Sequence, residues 1–167
     1  MPISETVRQQ RLDCLNTYWK SLMSGDIRTF ETLLAPDAVI HYPGSHSLSG
    51  DYRTTKDITG LYTKLTGFVQ EGTFKGELLD VIMGEVYTAA VIKYDINLPG
   101  KTIPGRAVGL FIIENGKIKE YWLHEWDQMM INRVFWANSL FKPLLPIIKK
   151  LRPARTQSGG TGVGAST

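Results

Sequence analysis

The groups in this sequence best able to move protons are an imidazole, two phenols and a late carboxylate. His41 and Tyr42 are adjacent within AVIHYPGSHSLSGDY (38–52). The stretch opens as a strand, since Val39 and Ile40 are β-branched and strand side chains alternate between faces. Pro43 and Gly44 stop it, and a polar loop closed by Gly50 follows. A histidine and a tyrosine at such a rim can act as acid and base on a ligand. The bland alternative for His41 is a ring hydrogen-bonded to backbone. Alternation sends His41 and Tyr42 to opposite faces, so one of them turns toward a pocket and the other away. Asp127 follows the aromatic run IKEYWLHEW. It reads either as a base in a dry pocket or as the cap of a helix beginning at Gln128. Tyr18 lies on an apolar helix face, where a phenol is a pocket donor or a core residue with its hydroxyl at the edge.

Other residues carry weaker signals. Ile118, Glu120, Trp122, His124 and Trp126 share one strand face if alternation is unbroken, and Tyr121, Leu123, Glu125 and Asp127 the other; a bulge near Trp122 would swap the assignment beyond it. Arg106 is a substrate-anion clamp or a paired structural charge. His46 falls in the polar loop and is expected to face solvent. The single cysteine, Cys14, reads as a buried core thiol. No H-x-H, H-E-x-x-H or C-x-x-C spacing suggests a metal, and no glycine loop has the strand–turn–helix setting of a phosphate or dinucleotide site. No metal or cofactor is therefore expected.

The elements that must position these groups follow from period and punctuation. Glu5 to Ser24 is an amphipathic helix with Leu12, Leu15, Trp19 and Leu22 at helical spacing, ended by Gly25. Asp26 caps a short helix carrying Ile27, Phe30 and Leu33, and a third helix runs from about Thr55 to Leu65. After Gly67 the period changes. The runs 74–83, 86–98, 103–114 and 117–126 are rich in β-branched and aromatic residues. Asn115-Gly116 is a strong hairpin signal, and Leu98-Pro99-Gly100-Lys101 is a second turn. Helices first and antiparallel strands afterwards make an α+β fold, its helices packed on one face of a curved sheet.

A chain of 167 residues with 43% hydrophobic and 21% charged content suits one globular domain. Its net charge of +3 is unevenly placed. Of 19 Lys and Arg, five (Lys142, Lys149, Lys150, Arg152, Arg155) follow Trp136, leaving 14 against 16 acidic residues, a body at −2. That body offers no electrostatic case for nucleic acid. Two units are expected: a domain over 1–136 and a basic, at least partly disordered tail over 137–167, broken by Pro143 and Pro146 and disordered beyond about Pro153. No signal peptide or integral membrane segment is read from the sequence, and a cytoplasmic protein is expected.

Several strings together identify a resemblance: YWKSLMSGDIRTFETLLAPDAVIHYPG, LSGDY, GTFKGELLDVI and GLFIIENGKIKEYWLHEWDQ. Over about residues 10 to 136 the chain resembles the SnoaL-like proteins of the nuclear transport factor 2-like (NTF2-like) superfamily. The resemblance implies a cone: a curved antiparallel sheet wrapped around the long N-terminal helix, with an apolar pocket inside. It also implies a homodimer and a small apolar organic ligand. Ketosteroid isomerases in this superfamily place an oxyanion donor where this chain has Tyr18. Their base position holds Tyr42 and their second acid Gly109, so that mechanism is disfavoured. Against limonene-type epoxide hydrolases, the Arg and Asp positions after Val86-Tyr87-Thr88 read Ala90 and Ile92, and only Asp127 matches. The polyketide cyclases use a late aspartate as base, again matching Asp127. The function implied is a cofactor-free cyclase, isomerase or dehydratase of secondary metabolism, with His41 and Asp127 transferring protons and Tyr18 or Tyr42 stabilising oxygen charge. Trp19, Arg106, Glu120, Trp122 and His124 would contact substrate. The rival is a non-catalytic ligand-binding or dimeric interaction module.

Overall fold

A computed structural model describes residues 3–141. Of the basic tail expected over 137–167, residues 142–167 lie outside the described residues. Helix α1, Glu5–Ser24, starts where the Ser4 side chain accepts from the Val7 N–H and ends at Gly25 with φ 75°. That left-handed turn suits glycine, whose missing Cβ removes the steric penalty. The buried stripe of α1 is Cys14, Leu15, Tyr18 and Ser21, so the apolar face is centred one position away from the Leu12–Trp19 line read from the sequence. Arg11 is also buried on α1: its two Nη atoms donate to the carbonyls of Gly84 and Glu85 at 2.8 and 2.9 Å, tying the helix to a distant turn.

Helix α2, Ile27–Thr32, is capped by Asp26, whose carboxylate accepts from the Thr29 N–H at 3.0 Å. Strand β1, Leu34–Tyr42, begins earlier than the sequence suggested. Pro36 cannot donate to a ladder, and the register with its neighbour slips between Leu34 and Val39. Strand β2, Gly50–Tyr52, is short. Helix α3, Thr55–Gln70, is capped by Thr54 and continues through Gly67, past the expected end at Leu65. Burial of Thr66 and packing of Phe68 on the core outweigh the modest helix cost of one glycine.

Strands β3 (Phe74–Met83), β4 (Tyr87–Leu98), β5 (Lys101–Glu114) and β6 (Lys117–Glu125) form an antiparallel meander, followed by α4, Gln128–Phe141. Asn115 and Gly116 both have positive φ, 50° and 71°, as the tight β5–β6 hairpin requires. The sheet order is β2-β1-β6-β5-β4-β3, antiparallel except where β1 runs parallel to β6. The sheet is curved and open. Its concave face receives α1 and α3, and fully buried Leu15, Phe30, Ile40, Ile58, Leu61, Phe111 and Ile118 fill the space between. This is the α+β, NTF2-like arrangement expected from the sequence. Cys14 is 4% exposed, and burial pushes its thiol pKa up to about 11.

Candidate functional site

Where α1 and α3 face the concave sheet, an internal cavity of about 90 Å³ remains, closed at one end by α4 through Ile131, Val134 and Phe135. Its wall is apolar apart from Thr73, five tyrosines and one glutamate. Tyr18 and Tyr62 bring their hydroxyl oxygens to 2.8 Å. Tyr62 stacks on Phe30 with centroids 3.9 Å apart, and Tyr18 meets Phe111 edge-on at 5.3 Å, so both phenols are held. Tyr121 packs on the same group, its ring 6.1 Å from that of Tyr18. Burial pushes the Tyr18 pKa up to about 12, while hydrogen bonding to Tyr62 pulls it down. Burial likewise holds the Tyr62 and Tyr121 phenols well above the ordinary value. All three hydroxyls are therefore neutral, and either of Tyr18 and Tyr62 can donate to the other, which leaves the second O–H for a ligand.

The glutamate is Glu125, and it reaches the interior because β6 carries a bulge. Ile113 pairs with Ile118 but Ile112 pairs with Glu120, so Lys119 is an extra residue. Ile118 therefore points inward, and so do Tyr121, Leu123 and Glu125, while Glu120, Trp122 and His124 point outward. The Tyr94 hydroxyl donates to Glu125 Oε2 at 2.5 Å. Burial raises the Glu125 pKa to about 7, and the Tyr94 bond partly offsets this. Tyr42 lines the same cavity, its pKa pushed up by burial and by the nearby Glu125 charge. A carboxyl near neutrality beside neutral phenols can take up and return a proton at physiological pH.

The structure does not bring His41 and Asp127 into one cavity. Ile40 lies opposite Tyr121 and His41 opposite Trp122; since Ile40 and Tyr121 are inward, His41 and Trp122 are outward. On that outer face His41 is held by two carboxylates, Nδ1 to Asp51 at 2.7 Å and Nε2 to Glu120 at 2.9 Å, and stacks on Trp122 at 5.1 Å. Partial burial opposes its charged form, but the bonds to Glu120 and Asp51 prevail and raise its pKa. Asp127 accepts from the Met130 N–H at 2.9 Å, the helix-capping role. It borders a separate external trough together with Arg106. His124 and Arg106 are exposed. Glu120, Trp122 and His124 therefore lie away from the cavity, whereas Trp19, Tyr18 and Tyr42 line it.

His46 departs from expectation as well. It is 8% exposed rather than solvated, stacked on Phe135 at 4.8 Å, with Nδ1 accepting from the Leu48 N–H at 3.2 Å. Burial lowers its pKa. Glu125 was missed as a site residue, although it stood on the correct strand face with Tyr121 and Leu123. Among the described residues, no group of three or more His, Cys, Asp and Glu could hold a metal ion. No helix among them is long and apolar enough to cross a membrane.

A model of the SnoaL-like domain matches residues 15–121. The chain belongs to the SnoaL-like family. Solved structures similar to this SnoaL-like protein include Bal32a from a soil-derived mobile gene cassette, 23% identical, covering 77% of this chain and 97% of that one with a TM-score of 0.68. Another is a protein of unknown function with a cystatin-like fold from Xanthomonas campestris, 28% identical, covering 75% and 97%, TM-score 0.66. A putative polyketide cyclase from Sinorhizobium meliloti is 18% identical over 67% of this chain and 94% of its own, TM-score 0.54. Comparison with curated proteins found no match. The more distant of these likenesses speak to the fold alone.

Proposed function

We propose that this SnoaL-like protein is an acid/base enzyme of the cyclase, isomerase or dehydratase type, acting on a small, mostly apolar carbonyl compound. The observation that carries this is Glu125: an interior carboxyl with a pKa raised to about 7, bonded to Tyr94, in a cavity shared with the Tyr18–Tyr62–Tyr121 hydroxyls. Glu125 as carboxylate takes a proton from the carbon beside the carbonyl, and the electron pair moves onto the carbonyl oxygen. The Tyr18 O–H donates to that oxygen, with the Tyr62 hydroxyl 2.8 Å from its own oxygen to help hold the developing charge. Protonated Glu125 then returns the proton to a second carbon in an isomerisation, or to a departing hydroxyl in a dehydration. In a cyclisation the enolate carbon attacks a second carbonyl of the same molecule, and Glu125 protonates the resulting alkoxide. None of these routes needs a redox cofactor.

Native mass spectrometry of freshly purified protein should identify a co-purified small molecule. Incubated with the protein in D₂O, that molecule should gain deuterium beside its carbonyl or convert to product, and Glu125→Gln should abolish both. Binding without exchange or conversion would instead support a non-catalytic ligand-binding module.

We also propose a cytoplasmic homodimer joined through the outer sheet face. Tyr87 is 48% exposed there and packs edge-on against Trp122, and the His41–Asp51–Glu120 cluster lies beside it. Light scattering at micromolar concentration should give twice the chain mass, and a monomer would rule the dimer out.

A further inference from the structure

The cavity that holds Glu125 is too small for the chemistry assigned to it. About 90 Å³ is the liquid volume of roughly three waters, whereas organic ligands occupy sites of about 300–1,000 Å³. A ligand must therefore displace part of the wall. Among the described residues, the fully buried side chains that lock the core come from α1, α2, α3 and the sheet, and none comes from α4. Helix α4 instead turns Ile131, Val134 and Phe135 onto the cavity itself.

We propose that the ligand site extends into the place held by the Phe135 ring, against His46 and Phe68, and that α4 withdraws this ring to admit a planar, apolar ligand. This rests on the Proposed function in taking the cavity as the ligand site, but not for the chemistry of Glu125.

The place is built to take a flat ring. Phe135 lies over the His46 imidazole with centroids 4.8 Å apart, and meets Phe68 edge-on at 5.5 Å. His46 in turn meets Tyr42 edge-on at 5.9 Å, and Tyr42 and Phe68 both line the cavity. Once the Phe135 ring leaves, these aromatic surfaces join the cavity wall, where a planar ligand can stack on them. The closed arrangement also carries a cost. Nδ1 of His46 accepts from the Leu48 N–H, so the neutral ring bears its proton on Nε2, and that atom is buried with no hydrogen-bond partner among the described residues. An orphaned buried donor costs on the order of 1–3 kcal/mol. Opening α4 lets water or a ligand oxygen reach it.

The helix has a hinge at one end and a light latch along its side. The Trp126 N–H still donates to the Arg106 carbonyl at 3.0 Å, and α4 starts at Gln128, so the bend falls on Asp127. The latch is Asn132, whose Oδ1 accepts from the Ser45 N–H at 3.1 Å and from Gln128 Nε2 at 3.2 Å. Gly44 has φ 97°, and a Cβ there would collide with the Asn132 and Gln128 side chains, so glycine is what lets the loop and α4 approach this closely. The Ser45 bond is exposed to solvent, and breaking it costs little.

The test uses prodan, a neutral planar naphthyl ketone whose emission reports an apolar site, with the full chain and stopped-flow fluorescence. In wild type the observed rate should rise with prodan and then level off at the rate of α4 opening. Asn132→Ala, at a partly exposed helical position, removes the latch and should raise that plateau about three- to tenfold. Its apparent affinity should rise by a similar factor, since a larger fraction of the protein is open. Phe135→Ala removes the resident ring and should tighten binding about tenfold or more. An unchanged melting temperature and near-ultraviolet circular dichroism in Asn132→Ala will separate opening of α4 from a loosened core. No saturable binding to wild type, a rate proportional to prodan at every concentration, an unchanged plateau in Asn132→Ala, or unchanged affinity in Phe135→Ala would each overturn the proposal. Glu125→Gln, which abolishes exchange if the Proposed function holds, should leave the plateau where it is, so the two readings fail separately.

Discussion

Glu125→Gln should be more stable than the wild type at pH 8, and that advantage should largely disappear by pH 5. Burial raises the Glu125 pKa from 4.5 to about 7. Between those values the folded state holds a proton that the unfolded state has released, so folding stability falls as pH rises through the interval. Below about 4.5 both states are protonated and there is no penalty. Above about 7 the penalty is complete, on the order of 3 kcal/mol at 1.4 kcal/mol per pKa unit. Glutamine is isosteric, carries no charge at any of these pH values, and its carbonyl can still accept from Tyr94. The variant should therefore gain about 1–3 kcal/mol at pH 8, less any cost of its new amide N–H groups. His41 and His46 titrate in the same range with opposite signs. His41, with its pKa raised, stabilises the fold at low pH and loses this as pH rises; His46, with its pKa lowered, stabilises at high pH and loses this as pH falls. Both contributions cancel in the difference between variant and wild type. Urea unfolding of the two proteins at pH 5 and pH 8 measures that difference. If it does not change with pH, Glu125 is not the perturbed carboxyl that the Proposed function requires.

A residue that destabilises the fold while sitting in its pocket conflicts with packing alone, and such conflicts gather at functional sites. The sequence carried a trace of this one. Glu125 stands two residues beyond Leu123 and four beyond Tyr121, so the parity of β6 settles its direction. Parity was the missing quantity. The extra residue at Lys119 arises from how β6 pairs with β5, and nothing local to KIKEYW announces it. The same holds for His41, whose outward direction follows from Ile40 pairing beside Tyr121 in a parallel ladder formed by residues some eighty positions apart. Turns and caps were readable because they are local. Asn115-Gly116 had to adopt positive φ, Gly25 had to end α1, and Asp26 and Thr54 had to cap the helices that follow them. His46 was misread for the opposite reason. Its loop is polar in sequence, but α4 folds back over it and brings Phe135 onto the imidazole.

Tyr18→Phe and Tyr62→Phe are each expected to cost about 1–3 kcal/mol of stability, and the double variant about as much as either single one. The two hydroxyls share a 2.8 Å hydrogen bond, and both side chains are buried. Removing either oxygen leaves the other hydroxyl buried without that partner, which costs on the order of 1–3 kcal/mol. Removing both leaves no orphaned partner, so the second substitution adds little. The ring of Tyr62 and its stack on Phe30 are untouched by these changes, so packing contributes little to any of the three values. Urea unfolding of the three variants measures the coupling, and additive costs would mean that the two hydroxyls do not depend on each other. Rate should separate the two residues once a substrate is in hand. Under the proposed mechanism Tyr18 supplies the donor to the developing oxygen charge, so Tyr18→Phe should lower kcat by about a hundredfold or more. Tyr62→Phe leaves that donor in place and removes only its neighbour. Its rate should fall by less than tenfold, with KM unchanged, since the bond it removes matters chiefly as charge builds on the substrate oxygen.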